Sequence, residues 1–102
     1  MSKPGKLIMT WDIAPQHERE YFEFVVREFL PGMQKFGFEL SDAWVTVYGH
    51  HPQILVGVTL PSAQEIRKVQ QSDEWQALFN QLSEHVVNFK QKIVKAEGGF
   101  QF

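Results

Sequence analysis

The stretch LSDAWVTVYGHHPQILVGVTL, Leu40 to Leu60, decides the fold. Ala43, Val45 and Val47 alternate with Asp42, Trp44, Thr46 and Tyr48, the period-two pattern of a strand with two unlike faces. Residues 54–60, ILVGVTL, are rich in β-branched side chains and read as a second strand. GHHPQ between them is a hairpin loop. His50 and His51 are adjacent, so in extended backbone their side chains point to opposite sides and do not close on one ion. Pro52 favours extended backbone at His51. The pair is expected to be a turn and not a metal site.

Working outward, residues 6–13, KLIMTWDI, alternate in the same way: Leu7, Met9, Trp11 and Ile13 share one face, Ile8, Thr10 and Asp12 the other. Pro15 and the acids that follow it mark a helix start. Phe22, Val25, Val26, Phe29, Leu30, Met33 and Phe36 then recur at helical spacing. Pro31-Gly32 predicts a kink or restart there, and Gly37 a stop. On the C-terminal side, SAQE at Ser62–Glu65 fits a capping box and a short helix. Ser72 reads as a second N-cap, opening a helix from about Asp73 to Lys95 with the stripe Trp75, Leu78, Phe79, Leu82, Val86, Phe89 and Ile93. Gly98-Gly99 end it, and FQF closes as a fourth strand. The order βαββαβ is the ferredoxin-like α+β plan: one domain over residues 1–102, an antiparallel four-stranded sheet with its helices on one face.

Helices on one face leave the other to be accounted for. Leu7, Met9, Trp11, Ile13, Val45, Val47, Ile54, Val56, Val58 and Leu60 are expected beneath them. Ile8, Thr10, Asp12, Asp42, Trp44, Thr46, Tyr48, Leu55 and Thr59 form the opposite face. Large aromatics on such a mixed face suit a partner surface or a cavity wall. Phe24, Val87 and Val94 point away from the helical stripes.

Composition narrows the partners. The 102 residues carry a net charge of −2, 43% hydrophobic and 14% aromatic content, and no cysteine. The basic residues form no stripe, which argues against nucleic acid. Without cysteine there is neither a disulfide framework nor a zinc–thiolate site. No segment approaches the ~20 apolar residues of a membrane span, and the N-terminal apolar run is short for a signal sequence. A cytoplasmic protein without membrane contact is expected.

The element order, the length and QSDEW at Gln71–Trp75 resemble the dimeric α/β-barrel superfamily. It includes cofactor-independent monooxygenases of the antibiotic-biosynthesis type, heme-degrading relatives, polyketide cyclases and stress-responsive barrel proteins. The resemblance implies a homodimer in which two sheets pack face to face. The monooxygenase branch commonly has a histidine where Val69 stands, three positions before the motif serine. The heme-degrading branch has its iron ligand where Phe79 stands. Neither activity carries over residue by residue.

Candidate chemistry is sparse. His85 sits at the margin of the last helical stripe, where an imidazole can serve as acid or base. Asp12 is a second candidate base. Trp44, Tyr48 and Thr10 are expected to line a ligand cavity. No histidine spacing suits a metal, and no cofactor is expected. Two functions fit: a small cofactor-independent enzyme, monooxygenase-like or cyclase-like, acting on an aromatic or apolar metabolite; or a non-catalytic ligand-binding or structural dimer.

Overall fold

The computed structural model describes residues 4–46 and 53–95. Val47, Tyr48, His50, His51, Pro52, Gly98-Gly99 and the FQF segment lie outside the described residues. The elements are β1 (Gly5–Ile13), α1 (Glu18–Phe24), a π-helical turn (Val25–Phe29), α2 (Leu30–Lys35), β2 (Glu39–Val45), β3 (Ile54–Leu60), α3 (Ala63–Gln70), α4 (Asp73–Ser83) and β4 (Val86–Lys95). The strands form one antiparallel sheet in the order β2-β3-β1-β4. This is the ferredoxin-like α+β fold. Among the described residues no helix is long and apolar enough to cross a membrane.

The core follows the strand alternation. Leu7, Met9 and Trp11 of β1 and Ile54, Val56, Val58 and Leu60 of β3 are buried against Phe29, Met33, Ile66, Trp75 and Leu82 from the helices. Each such side chain contributes roughly 1.5–3 kcal/mol by leaving water. The helix ends obey local chemistry. Ser62 Oγ accepts from the Glu65 amide at 3.2 Å, and Ser72 Oγ from the Trp75 amide at 3.2 Å, so both expected N-caps form. Gly37, with φ +88°, ends α2. Its amide reaches the Gln34 carbonyl at 2.9 Å while Phe38 bonds the Met33 carbonyl at 3.1 Å, a Schellman closure.

Two sequence expectations are overturned. The helix opening at Ser72 stops at Ser83, and Val86–Lys95 is the fourth strand instead of its continuation. The cause is a β-bulge. Thr10 pairs with Lys90 and Asp12 with Val87, so Asn88 and Phe89 together stand opposite Trp11. Asn88 takes φ +58°, a left-handed conformation that asparagine tolerates. The bulge puts Val86 and Phe89, three apart, toward the core, and this spacing imitates a helix.

The first helical stripe is also rotated. Phe24 is buried, whereas Phe22 and Val26 are exposed. Here the backbone slips register: the Leu30 amide bonds the Val25 carbonyl, five residues back. The buried series Tyr21, Phe24, Phe29, Met33 therefore has a five-residue step in its middle, which an α-helical projection misplaces. The slip ends where Pro31, which has no amide to donate, stands in the first turn of α2. That is the restart expected at Pro31-Gly32.

Candidate functional site

The π turn and β2 border a half-open cavity of about 210 Å³. Trp11, Tyr21 and Phe29 form its back wall. Phe22 and Leu30 stand on the helix side, and Leu40, Ala43, Trp44 and Val45 on the β2 side. Each part of this wall rests on a local irregularity. The π turn brings Phe29 inward. On β2, Leu40 pairs with Val58 and Asp42 with Gly57, so Ser41 is bulged and Leu40 lands on the same side as Ala43. Val45 was expected to be covered by a helix. It is 67% exposed, because the space above it is this open cavity.

Trp11 is locked in place. Its ring stacks on Phe89 at 6.0 Å and meets Phe29 edge-on at 5.9 Å. Its Nε1–H donates to Tyr21 Oη at 2.9 Å. Among the described residues the polar side-chain atoms of the walls are this phenol and the indole nitrogens of Trp11 and Trp44. Burial pushes the Tyr21 phenol above its ordinary pKa, and the bond from Trp11 opposes that only in part. Tyr21 therefore stays protonated at neutral pH.

A larger cleft of about 430 Å³ runs between α2 and α4. Its walls include Arg27, Glu28, Lys35 and Glu74, charges of both signs reaching into water. It lacks the apolar enclosure that favours a small organic molecule.

The residues expected from sequence do not converge. Trp44 stands in the apolar cavity. Tyr48 is outside the described residues. Thr10 is half-buried on β1, between Leu55 of β3 and Lys90 of β4. Asp12 is buried on that same sheet face. Its Oδ1 accepts from the Gln53 amide at 2.8 Å and its Oδ2 from Asn88 Nδ2 at 2.9 Å, so it clamps β1 to the start of β3 and to the β4 bulge. His85 lies in the turn between α4 and β4, its ring 5.4 Å from Phe24 and 6.1 Å from His17. Its Nδ1 is buried and has no hydrogen-bond partner among the described residues. Neither His85 nor Asp12 belongs to the cavity wall. Among the described residues no group of three or more His, Asp or Glu side chains is placed to hold a metal. Tyr21, Phe29 and Leu40 were not foreseen as site residues. The five-residue gap between Phe24 and Phe29, just ahead of Pro31, is the signal that could have found the first two.

A ferredoxin-like α+β domain with a pocket between helix and edge strand agrees with the dimeric α/β-barrel resemblance. No protein-family model matches the chain, and no curated protein matches it. Solved structures do. A NIPSNAP family protein from Agrobacterium tumefaciens superposes with a TM-score of 0.70 at 19% identity, over 96% of this chain and 90% of its own. An uncharacterized NIPSNAP domain protein from Burkholderia xenovorans gives 0.68 at 12% identity, over 96% and 99%. A Bacteroides thetaiotaomicron protein of unknown function, described as a possible oxidoreductase, gives 0.69 at 8% identity, over 94% and 100%. At such identities the likeness is one of fold.

Proposed function

We propose that this protein binds a small, uncharged aromatic or apolar molecule in the cavity between the π turn and β2, and that it does so as a cytoplasmic homodimer. The observation that carries this reading is the wall itself: aromatic and aliphatic side chains around a half-open space, with three polar side-chain atoms and no ionised side chain among the described residues. A space of about 210 Å³ suits one or two rings. The enzymatic alternative, monooxygenase-like or cyclase-like, requires an acid or base at the ligand. Among the described residues the wall offers only a phenol, neutral at pH 7 and made less acidic still by burial, so binding is favoured over turnover.

Ethylbenzene titrated into ¹⁵N-labelled protein tests this through the tryptophan indole N–H signals. Saturable shifts of the Trp11 and Trp44 signals are expected. Trp44→Ala, at an exposed position, should leave the melting temperature nearly unchanged and weaken binding about fivefold, from about 1 kcal/mol of lost aromatic contact. Shifts that rise linearly without saturation, or an affinity indifferent to Trp44→Ala, would exclude the cavity as the binding site.

A further inference from the structure

Tyr21 is 3% exposed, and it is a wall residue of the cavity. Its hydroxyl oxygen accepts the Trp11 indole N–H at 2.9 Å. Trp11 cannot turn away to relax this bond, since Phe89 and Phe29 hold its ring on two sides. The bond therefore fixes how the phenol oxygen is used: one lone pair is taken and the O–H proton is left over. No described residue accepts that proton. A buried donor without an acceptor is unfavourable, so native structures seldom leave one. Among the described wall side chains there is no carboxylate, amide or imidazole to receive it. Tyr21 and Trp11, the two partners of this bond, both line the cavity, so a molecule seated there lies beside them.

We infer that the ligand carries a hydrogen-bond-accepting oxygen, a carbonyl or an ether, and that the Tyr21 hydroxyl donates to it while the rest of the molecule lies against the aromatic walls. This rests on the cavity being the binding site proposed above. The geometry selects among ligands in two ways. A carboxylate or phosphate would enter a space whose described walls carry no cation, and would lose its hydration without replacement. A pure hydrocarbon would fit but would leave the Tyr21 proton unanswered. A neutral aryl ketone, quinone-like carbonyl or aryl ether satisfies both requirements. A phenol keeps its proton throughout the neutral range, and burial moves its pKa further up, so the donor is present whenever the ligand arrives. Tyr21 is thus a specificity residue and Trp11 its positioning residue.

The test compares acetophenone with ethylbenzene, which share a carbon skeleton and differ by one carbonyl oxygen, in the same ¹⁵N-detected titration. Tyr21→Phe should weaken acetophenone about fivefold, as expected for one hydrogen bond, and change ethylbenzene less than about twofold. Ethylbenzene is the internal control for an altered cavity, because Tyr21→Phe also removes the acceptor of the Trp11 N–H. A second measurement needs no variant. The carbonyl ¹³C signal of labelled acetophenone bound to the native protein should lie downfield of its position in cyclohexane, as it does for a hydrogen-bonded ketone. If ethylbenzene binds, but Tyr21→Phe affects both probes alike or the bound carbonyl resonates at its cyclohexane position, the Tyr21 assignment is wrong and the cavity stands. If neither probe binds saturably, the cavity reading and the Tyr21 assignment fall together.

Discussion

Lys6 and Asp42 sit on β1 and β2, with β3 between them, yet Lys6 Nζ and Asp42 Oδ2 are 2.9 Å apart. Gly57 of β3 makes this possible. A Cβ there would stand 2.7 Å from Asp42 Oδ2 and 3.2 Å from Ser41 Oγ, so the residue between the partners must have no side chain. The pair is largely shielded, with side-chain exposures of 7% and 16%. The bond from Lys6 holds the Asp42 carboxyl below its ordinary value of 3.8, against the opposing effect of burial. A carboxyl with a depressed pKa stabilises the fold fully above its unfolded value, and that contribution disappears as pH falls through the lower folded value. Asp42→Asn should therefore cost about 1–3 kcal/mol at pH 7, since it leaves a shielded ammonium without its counter-charge. In thermal melts the gap between the variant and native protein should close once the pH is below the carboxylate range. A gap that persists at acid pH would show that packing, not charge, is what the substitution removes. None of this was legible beforehand. Asp42 could be placed on a face, but its partner comes from 36 positions away. Asp12 could likewise be read as a carboxylate near a strand end. Its role as a clamp depends on Gln53 and Asn88, 41 and 76 positions distant.

Elements were legible where their period was regular. β1 and β3 pair without a register shift, so their side chains alternate between faces as expected, and the caps at Ser62 and Ser72 lie within three residues of the amides they serve. Where one residue is added to a regular element, the period fails as a guide. The π turn changes a step of four into five, and the bulges at Ser41 and Asn88 change a step of two into three. Leu82, Val86, Phe89 and Ile93 are spaced four, three and four, which is helical arithmetic, although only Leu82 is in a helix. The bulge at Asn88 has two energetic components that substitution can separate. Asn88→Gly loses the bond to Asp12 but keeps a residue at ease with φ +58°. Asn88→Ala loses the bond and adds the strain of a Cβ in left-handed backbone, roughly 1 kcal/mol more. Urea unfolding should rank native above Gly above Ala. Equal losses for the two variants would mean that the backbone conformation there is not strained for alanine.

At the scale of the whole molecule, the exposed large apolar side chains among the described residues gather in one region, apart from Val87 of β4. Phe22, Val26 and Leu30 from the first helical stretch and Leu40, Trp44 and Val45 from β2 are all exposed. Five of these six also border the cavity, so they form one continuous patch. β2 is an edge strand, and an apolar edge invites a second chain. The opposite sheet face, read from sequence as the uncovered surface, is less open than expected: Lys6, Ile8 and Asp12 are buried there. We propose that β2 and the helical stretch Phe22–Leu30 form part of the homodimer surface. Val26 is 66% exposed and outside the cavity wall, which makes it the clean probe. Sedimentation should find the native protein dimeric at micromolar concentration, and Val26→Lys folded but with dimer affinity weakened about tenfold or more. A native monomer, or a Val26→Lys dimer as tight as the native one, would remove this surface from consideration.

The π turn also bears on how such a site could come and go. An α-helix spanning Tyr21 to Met33 needs one residue fewer than this chain has. Losing a single codon within Val25–Phe29 would restore regular hydrogen bonding and swing the helical residues just upstream, Glu18–Phe24, by about 100° about the helix axis. Phe22 and Tyr21 would leave their places at the cavity while the sheet remained untouched. Ligand recognition here is thus separable from the scaffold by the smallest in-frame deletion, and two homologues differing in length by one residue at this point could share a fold and no ligand.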